Sequence, residues 1–299
     1  MIRVSNLTKR YGKSVVLDNL SMNVPKGAVY GLVGPNGAGK TTLLKHLSGV
    51  FMQEEGECLI DGQNVYENPQ IKKRMIFIPD DLYFFQTFNT EDMVKLYKNV
   101  YPKFNMERFL KLKEVFPIDT KKKISKLSKG MQKQVAFWLG ICAMPDVLIL
   151  DEPVDGLDPV MRRKVWNLIV QDITERNTTV VVSSHNLREL EDICDHVGIL
   201  HGGKIIIEKA LDDVKSDIHK VQVAFRQEFP QEISNELKVL HHQSIGSVNM
   251  LIIKGEMEKI REVMSKHDPL IFDIIPLSLE EVFIYEMGDK GYEITNVII

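Results

Sequence analysis

The sequence predicts an α/β fold, a parallel sheet flanked by helices, followed by a small α+β appendix. Two observations carry this. Continuous apolar runs of strand length stand at Ala28–Val33, Met75–Ile78, Val147–Leu150 and Thr179–Ser183 with helical stretches between them, the pattern of strands buried on both faces in a parallel sheet. After about Ser216 the pattern changes to alternation mixed with short helical spacing, which reads as a separate α+β unit.

Taken in order, Ile2–Leu7 and Val15–Val24 are β-branched runs and read as strands. Ala28–Val33 is a third, running straight into Gly34-Pro35-Asn36-Gly37-Ala38-Gly39, after which Leu43, Leu44 and Leu47 share a helical face. Thr90–Tyr101 and Asn105–Phe116 read as helices, each opened by a capping residue. They form a helical insert spanning about residues 81–144. In the appendix Val221, Val223 and Phe225 alternate, as do Val248, Met250 and Ile252, whereas Ile260, Val263, Met264 and His267 keep helical spacing. Ser278 with Glu281 is a capping box opening a last helix on which Leu279, Val282 and Phe283 share a face.

A length of 299 residues fits roughly two domains at about 150 residues each, and the divisions fall at 1–217 and 218–299. The apolar share of 44% is globular. With 38 Lys and Arg against 41 Asp and Glu, a net charge of −3 argues against a protein built to grip a nucleic-acid backbone, and no nucleic-acid partner is expected. Cys58, Cys142 and Cys194 are far apart and lack CxxC spacing, so each reads as a small core residue. Residues Met1–Asn6 lead into no apolar leader, and the longest apolar run is Ala136–Met144, half the ~18 residues of a membrane span. Any membrane role is expected to work through another chain.

Gly34–Thr41 fits GxxxxGK[ST] between a strand and a helix, a phosphate-binding loop. Its glycines let backbone N–H groups turn around phosphate oxygens. The helix N-terminus favours an anion, Lys40 adds a point charge, and the Thr41 hydroxyl can ligate Mg²⁺. Val147–Leu150 ends in Asp151-Glu152, two carboxylates at the edge where open α/β sheets bind ligands; Asp151 is the metal candidate and Glu152 the base. Leu127-Ser128-Lys129-Gly130-Met131 precedes a helix striped by Val135, Leu139 and Cys142, a second helix N-terminus able to hold an anion or simply a capped helix start.

The order Tyr11, Gly34 to Thr42, Leu127 to Met131, Asp151-Glu152, Gly156-Leu157-Asp158-Pro159 and Ser184-His185 resembles the nucleotide-binding subunits of ABC transporters, over about Ile2 to Ser216. The resemblance implies a P-loop NTPase with the ABC-type β-subdomain, binding ATP with Mg²⁺. By it, two such domains stack head to tail, each ATP lying between one phosphate loop and the other copy's Ser128-Lys129-Gly130, with hydrolysis dependent on closure. Glu152 would polarise the attacking water, His185 contact the γ-phosphate, Asp158 couple the two sites and Tyr11 stack on adenine. Read singly, a His at a strand end and a Tyr after a strand are ordinary structural residues.

The family usually places Gln where this chain has Asp80, at a position that contacts the γ-phosphate, Mg²⁺ and the membrane partner; an acid there should repel a bare triphosphate and prefer a Mg²⁺-rich site. Lys129 and Met131 stand for the more usual Gly and Gln. Tyr83, Phe84, Phe85 and Phe88 crowd the segment where the family receives its transmembrane partner, and read equally as an interface core or as ordinary burial. Lys121, Lys122, Lys123, Lys126 and Lys129 read as solvated surface. The Pro276–Phe283 segment is similar to the tail of ATPases in the drug, peptide and polysaccharide exporter branch.

These features imply an ATPase powering export of a peptide or drug. Its partners would be integral membrane permease subunits and a second ATP-binding subunit, identical or paralogous. It would sit in the cytoplasm, peripheral on the inner face of the plasma membrane. The alternative is an ABC-type switch acting on nucleic acid or ribosomes. Such proteins usually fuse two ATPase domains or long coiled coils, and here there is one phosphate loop and no sustained heptad run. A GTPase is disfavoured, since no Asn-Lys-x-Asp guanine reader occurs.

Overall fold

The computed structural model describes residues 1–211, 213 and 218–289. They divide into two compact units, 1–185 with 193–208, and 186–192 with 209–299. The second unit therefore starts ahead of the pattern change near Ile218, and Asp217 itself lies outside the described residues.

In the first unit β1 (Ile2–Tyr11) and β2 (Ser14–Val24) form an antiparallel pair that β4 (Glu55–Ile60) and β5 (Gln63–Asn64) extend in the order β2-β1-β4-β5. β3 (Val29–Val33) belongs to a second, six-stranded sheet with β6 (Met75–Ile78), β7 (Val147–Asp151), β8 (Thr179–Ser184), β9 (His196–His201) and β10 (Lys204–Ala210), ordered β10-β9-β3-β8-β7-β6. From β9 through β6 the neighbours are parallel, and β3, β7 and β8 are buried at every residue. That is why they read as unbroken apolar runs.

Between the sheets lies α1 (Lys40–Leu47), whose Leu43, Leu44 and Leu47 are fully buried and share one core with Val4, Leu7, Leu17 and Leu20 of the small sheet and Val147 and Ile149 of the large one. The element carrying the phosphate loop is thereby fixed on both sides.

A short helix α2 (Pro69–Lys72) precedes β6, and the insert contains α3 (Thr90–Val100) and α4 (Met106–Lys111). The first is capped by Asn89, not Thr90, in a reciprocal box with Asp92. The second is capped by Asn105 but ends at Lys111 in a 3₁₀ turn, short of Phe116. The long helix α5 (Lys129–Cys142) is buried from Val135 onward, and Trp138 stacks on Phe109 with ring centroids 4.2 Å apart while its indole N–H donates to the Phe109 carbonyl at 3.1 Å.

The second unit is an antiparallel sheet of β11 (Ile218–Ala224), β12 (Lys238–Ile245), β13 (Val248–Lys254) and β14 (Ile271–Ile275) in the order β12-β13-β11-β14. Val221, Val223 and Phe225 enter its core as expected, with Ile260, Val263 and Met264 of the helix Met257–Ser265. On β13 the face differs from the alternation read from the sequence. Val221 pairs with Leu251, so Leu251 and Ile253 join that core while Val248, Met250 and Ile252 face the other way. His267 lies beyond the helix end. Ser278 and Glu281 form the expected box at the start of the helix Leu279–Asp289 and Val282 is fully buried; the side chains of Leu279 and Phe283 lie outside the described residues.

Cys58, Cys142 and Cys194 are buried and unpaired. Burial pushes the Cys58 thiol up to about 11 and that of Cys142 up to about 12, so they act as small apolar residues. Among the described residues no helix is long and apolar enough to cross a membrane.

Candidate functional site

Three parallel strands end side by side. Their register pairs Val33 with Ser184 and Asp151 with Ser183. The glycine loop after β3, the Asp151-Glu152 pair at the end of β7 and His185 after β8 therefore share one carboxyl edge, where open α/β sheets bind ligands.

Gly39 precedes α1 with φ 108°, and a Cβ there would come within 2.9 Å of the Leu17 side chain and 3.0 Å of the Val16 carbonyl. No side chain caps this helix, which leaves first-turn N–H groups for an anion. Lys40 is 7% exposed, donates to the Gly34 carbonyl at 2.7 Å, and holds its ammonium 3.6 Å from Glu152 Oε1. A triphosphate would exchange this internal carbonyl partner for charge-assisted bonds.

Asp151 is 1% exposed. The Thr41 hydroxyl donates to its Oδ2 at 2.7 Å and the Ser183 hydroxyl to its Oδ1 at 2.6 Å. A carboxylate and a hydroxyl in contact at the mouth of a phosphate loop are the hard oxygen donors that suit Mg²⁺, which keeps several waters and takes few protein ligands.

Glu152 sits at φ 46°, unusual for a residue with a side chain. Its N–H donates to Ser183 Oγ at 3.1 Å, and its Oε2 lies 3.0 Å from His185 Nδ1. Burial raises its pKa above the ordinary carboxylate value, against the opposing pull of Lys40 and His185. A carboxyl of raised basicity beside a phosphate loop is equipped to take a proton from water.

One cleft is lined by Tyr11, Pro35, Asn36, Gly37, Gly39, Lys40, Thr41, Thr42, Asp80, Asp151 and Glu152. Tyr11 is 48% exposed on its rim, not core, with the Lys9 ammonium 5.5 Å from its ring. Gly34 and Ala38 complete the loop behind it. Lys129 and Gly130 line a different cleft with Asp81, Gln132, Lys133 and Gly156, and Asp80 borders both. Ser128 caps α5, accepting from Met131 N–H at 3.3 Å, and Asp158 caps α6 (Pro159–Arg176), accepting from Val160 and Met161 N–H at 3.0 Å each. A single copy therefore does not bring Ser128, Lys129, Gly130, Met131 or Asp158 into the cleft of the phosphate loop. Gly130 stands at a close approach, since a Cβ would lie 3.0 Å from the Gly156 carbonyl.

Two residues escaped the sequence reading. Ser183 bridges Asp151 and the Glu152 backbone; its signal was a hydroxyl closing an otherwise apolar strand. Lys133 donates to Asp80 Oδ1 at 2.7 Å and to the Glu152 carbonyl at 3.0 Å, and nothing in its local sequence marks it.

The family described as ABC transporter matches residues 17–155. Along almost its whole length the chain is similar to the ABC transporter ATP-binding protein YtrB of Bacillus subtilis, 31% identical over 97% of this chain and 99% of the relative. The bacitracin transport ATP-binding protein BcrA of Bacillus licheniformis is 30% identical over 96% and 97%. A solved ATP-binding subunit of an ABC transporter superposes with a TM-score of 0.67 at 25% identity, covering 72% of this chain and 92% of that one. With the phosphate loop, the paired carboxylates and the signature turn in family order, the chain belongs to the ATP-binding subunits of ABC transporters and is an ATPase.

Proposed function

We propose that this subunit performs Mg²⁺-dependent ATP hydrolysis at a head-to-tail dimer interface and powers export of a peptide or drug through separate transmembrane subunits. The observation that carries the reading is the placement of Glu152, whose carboxyl stands between Lys40 and His185 at the edge of the phosphate loop.

In this mechanism the loop N–H groups and Lys40 bind the triphosphate, while Thr41 and Asp151 would hold the metal. When bound, Mg²⁺ neutralises charge on the phosphates. Glu152 orients and deprotonates the attacking water. His185, held by Glu152, contacts the γ-phosphate, and Tyr11 stacks on the base. Ser128, Lys129, Gly130 and Met131 close the site of the opposing copy, and Asp158 couples the two. That these residues lie apart from the phosphate loop within one copy supports a site completed by a second copy, with an anion held between two helix N-termini.

The aromatic segment supports a membrane partner. Tyr83 is 83% exposed and Phe85 48%, and the Phe85 ring packs on both Tyr83 and Phe88. An exposed aromatic cluster suits an interface core. Peptide cargo is supported by the relative named for bacitracin transport.

The test is affinity capture from mild-detergent extracts of the native cells, with ATP-loaded Glu152→Gln as bait and mass spectrometry of the partners. Stoichiometric recovery of a multi-span protein is expected, lost in Phe85→Ala with the fold intact. Recovery of ribosomal or other partners without a membrane protein would favour the switch.

A further inference from the structure

Lys133 lies on α5 and is only 12% exposed. A lysine that served solubility would hold its ammonium in water. This one reaches in and makes two bonds, to Asp80 Oδ1 at 2.7 Å and to the backbone carbonyl of Glu152 at 3.0 Å.

The second bond falls on a backbone that needs support. Glu152 has φ 46°, a conformation that residues with a side chain keep only when their surroundings determine it. On one side its N–H is held by Ser183 Oγ at 3.1 Å. On the other its carbonyl accepts from the Lys133 ammonium at 3.0 Å and from Asp155 N–H at 3.3 Å. Together these contacts set the direction in which the Glu152 side chain leaves the chain, and Lys133 supplies the shorter, charge-assisted hold on the carbonyl.

Asp80 makes such an ammonium tolerable. A largely buried cation facing one carbonyl would lack a counter-charge, and the Asp80 carboxylate, 53% exposed, supplies it from the adjoining segment. The acid at the end of β6 and the lysine on α5 thus form one unit.

We propose that Lys133 is a positioning residue for ATP hydrolysis, clamping the backbone of Glu152 so that its carboxyl addresses the attacking water, with Asp80 as the counter-ion that holds the clamp in place. The inference rests on Glu152 being the base. It requires no contact between Lys133 and nucleotide, so its loss acts on the chemical step and not on binding.

The experiment uses the full chain and compares kcat and KM for ATP in Lys133→Met, Lys133→Arg, Glu152→Gln and the Glu152→Gln/Lys133→Met double variant, with ATP affinity measured separately. Lys133→Met is expected to lower kcat at least about 10-fold, as small misplacements of a reacting group do, with KM and ATP affinity within about two-fold. Lys133→Arg, which can still donate to both acceptors, should keep at least about half of kcat. In the Glu152→Gln background the second substitution should cost nothing more, because residues acting as a unit are non-additive.

Unchanged kcat in Lys133→Met, loss expressed as a raised KM, failure of arginine to rescue, or a fully additive loss in the double variant would each overturn the proposal. Wild-type turnover by Glu152→Gln alone would overturn the reading of the base instead. Lys133→Ala carries the same expectations and replaces the methionine variant should that not fold.

Discussion

His185 Nδ1 lies 3.0 Å from Glu152 Oε2, joining the ends of two parallel strands that are neighbours in the sheet. The carboxyl is also drawn toward Lys40 and raised in pKa by burial, the environment of a general base and not of a surface acid. Glu152→Gln keeps the shape and the hydrogen-bonding reach but cannot take a proton. ATP turnover is expected to fall by about 10²- to 10⁴-fold with ATP binding retained. A stable dimer should then accumulate with ATP, read by size-exclusion chromatography. Hydrolysis at the wild-type rate would remove Glu152 from the role.

Lys40 is held ready by a bond to its own loop at Gly34. Replacing it with Ala removes a charge-assisted bond, and calorimetric titration of Lys40→Ala should show affinity for ATP weakened by about 2 kcal/mol, roughly 30-fold in Kd. Undiminished binding would mean that the loop N–H groups alone hold the triphosphate.

Ser183 carries more of the site than its residue type announces. Its hydroxyl donates to the fully buried Asp151 while accepting from Glu152 N–H. Ser183→Ala strips a buried carboxylate of one of its donors, and denaturant unfolding should register a loss of about 1–3 kcal/mol. ATPase activity should fall as well, since the same hydroxyl orients both carboxylates. A variant as stable as wild type would show that water takes the place of the hydroxyl.

How much of this was legible beforehand follows from which interactions are local. The strands β3, β6, β7 and β8 were readable because burial on both faces leaves an apolar run, and the phosphate loop because its backbone geometry demands glycines at fixed spacing. β4, by contrast, is exposed over its first three residues, Glu55–Glu57. It exists because β1 pairs with it, which no local pattern records. Leu251 in place of Met250 on the inner face of β13 is set by pairing with Val221 and so needed the register. Lys133 meets Asp80 and Glu152 across long sequence separations, and such partners become visible only when the chain is folded. Tyr11 was ambiguous because a tyrosine after a strand is as often core as rim; only its exposure separates the two.

His46 offers a measurement of stability unconnected with catalysis. It lies on α1, fully buried, and among the described residues neither ring nitrogen has a hydrogen-bond partner. Its ring packs edge-on to Phe51 with centroids 5.6 Å apart. Burial, reinforced by the charge of Lys9 and opposed first by the Phe51 backbone and then by Glu54, lowers its pKa from the ordinary 6.5. The folded protein therefore holds it neutral while the unfolded chain protonates it near 6.5, so the unfolded state binds more protons as the pH falls through that value. Stability is lost from there downward and the loss levels off only below the lowered folded pKa. His46→Phe keeps an aromatic ring against Phe51 and has nothing to protonate. Comparing Tm at about pH 7.5 and pH 5.5, the wild type should lose more than the variant does. The variant should be at least as stable at the lower pH, since it also removes two unpaired buried nitrogens. Equal losses in the two proteins would show that His46 protonates freely in the folded state and that the ring reaches water.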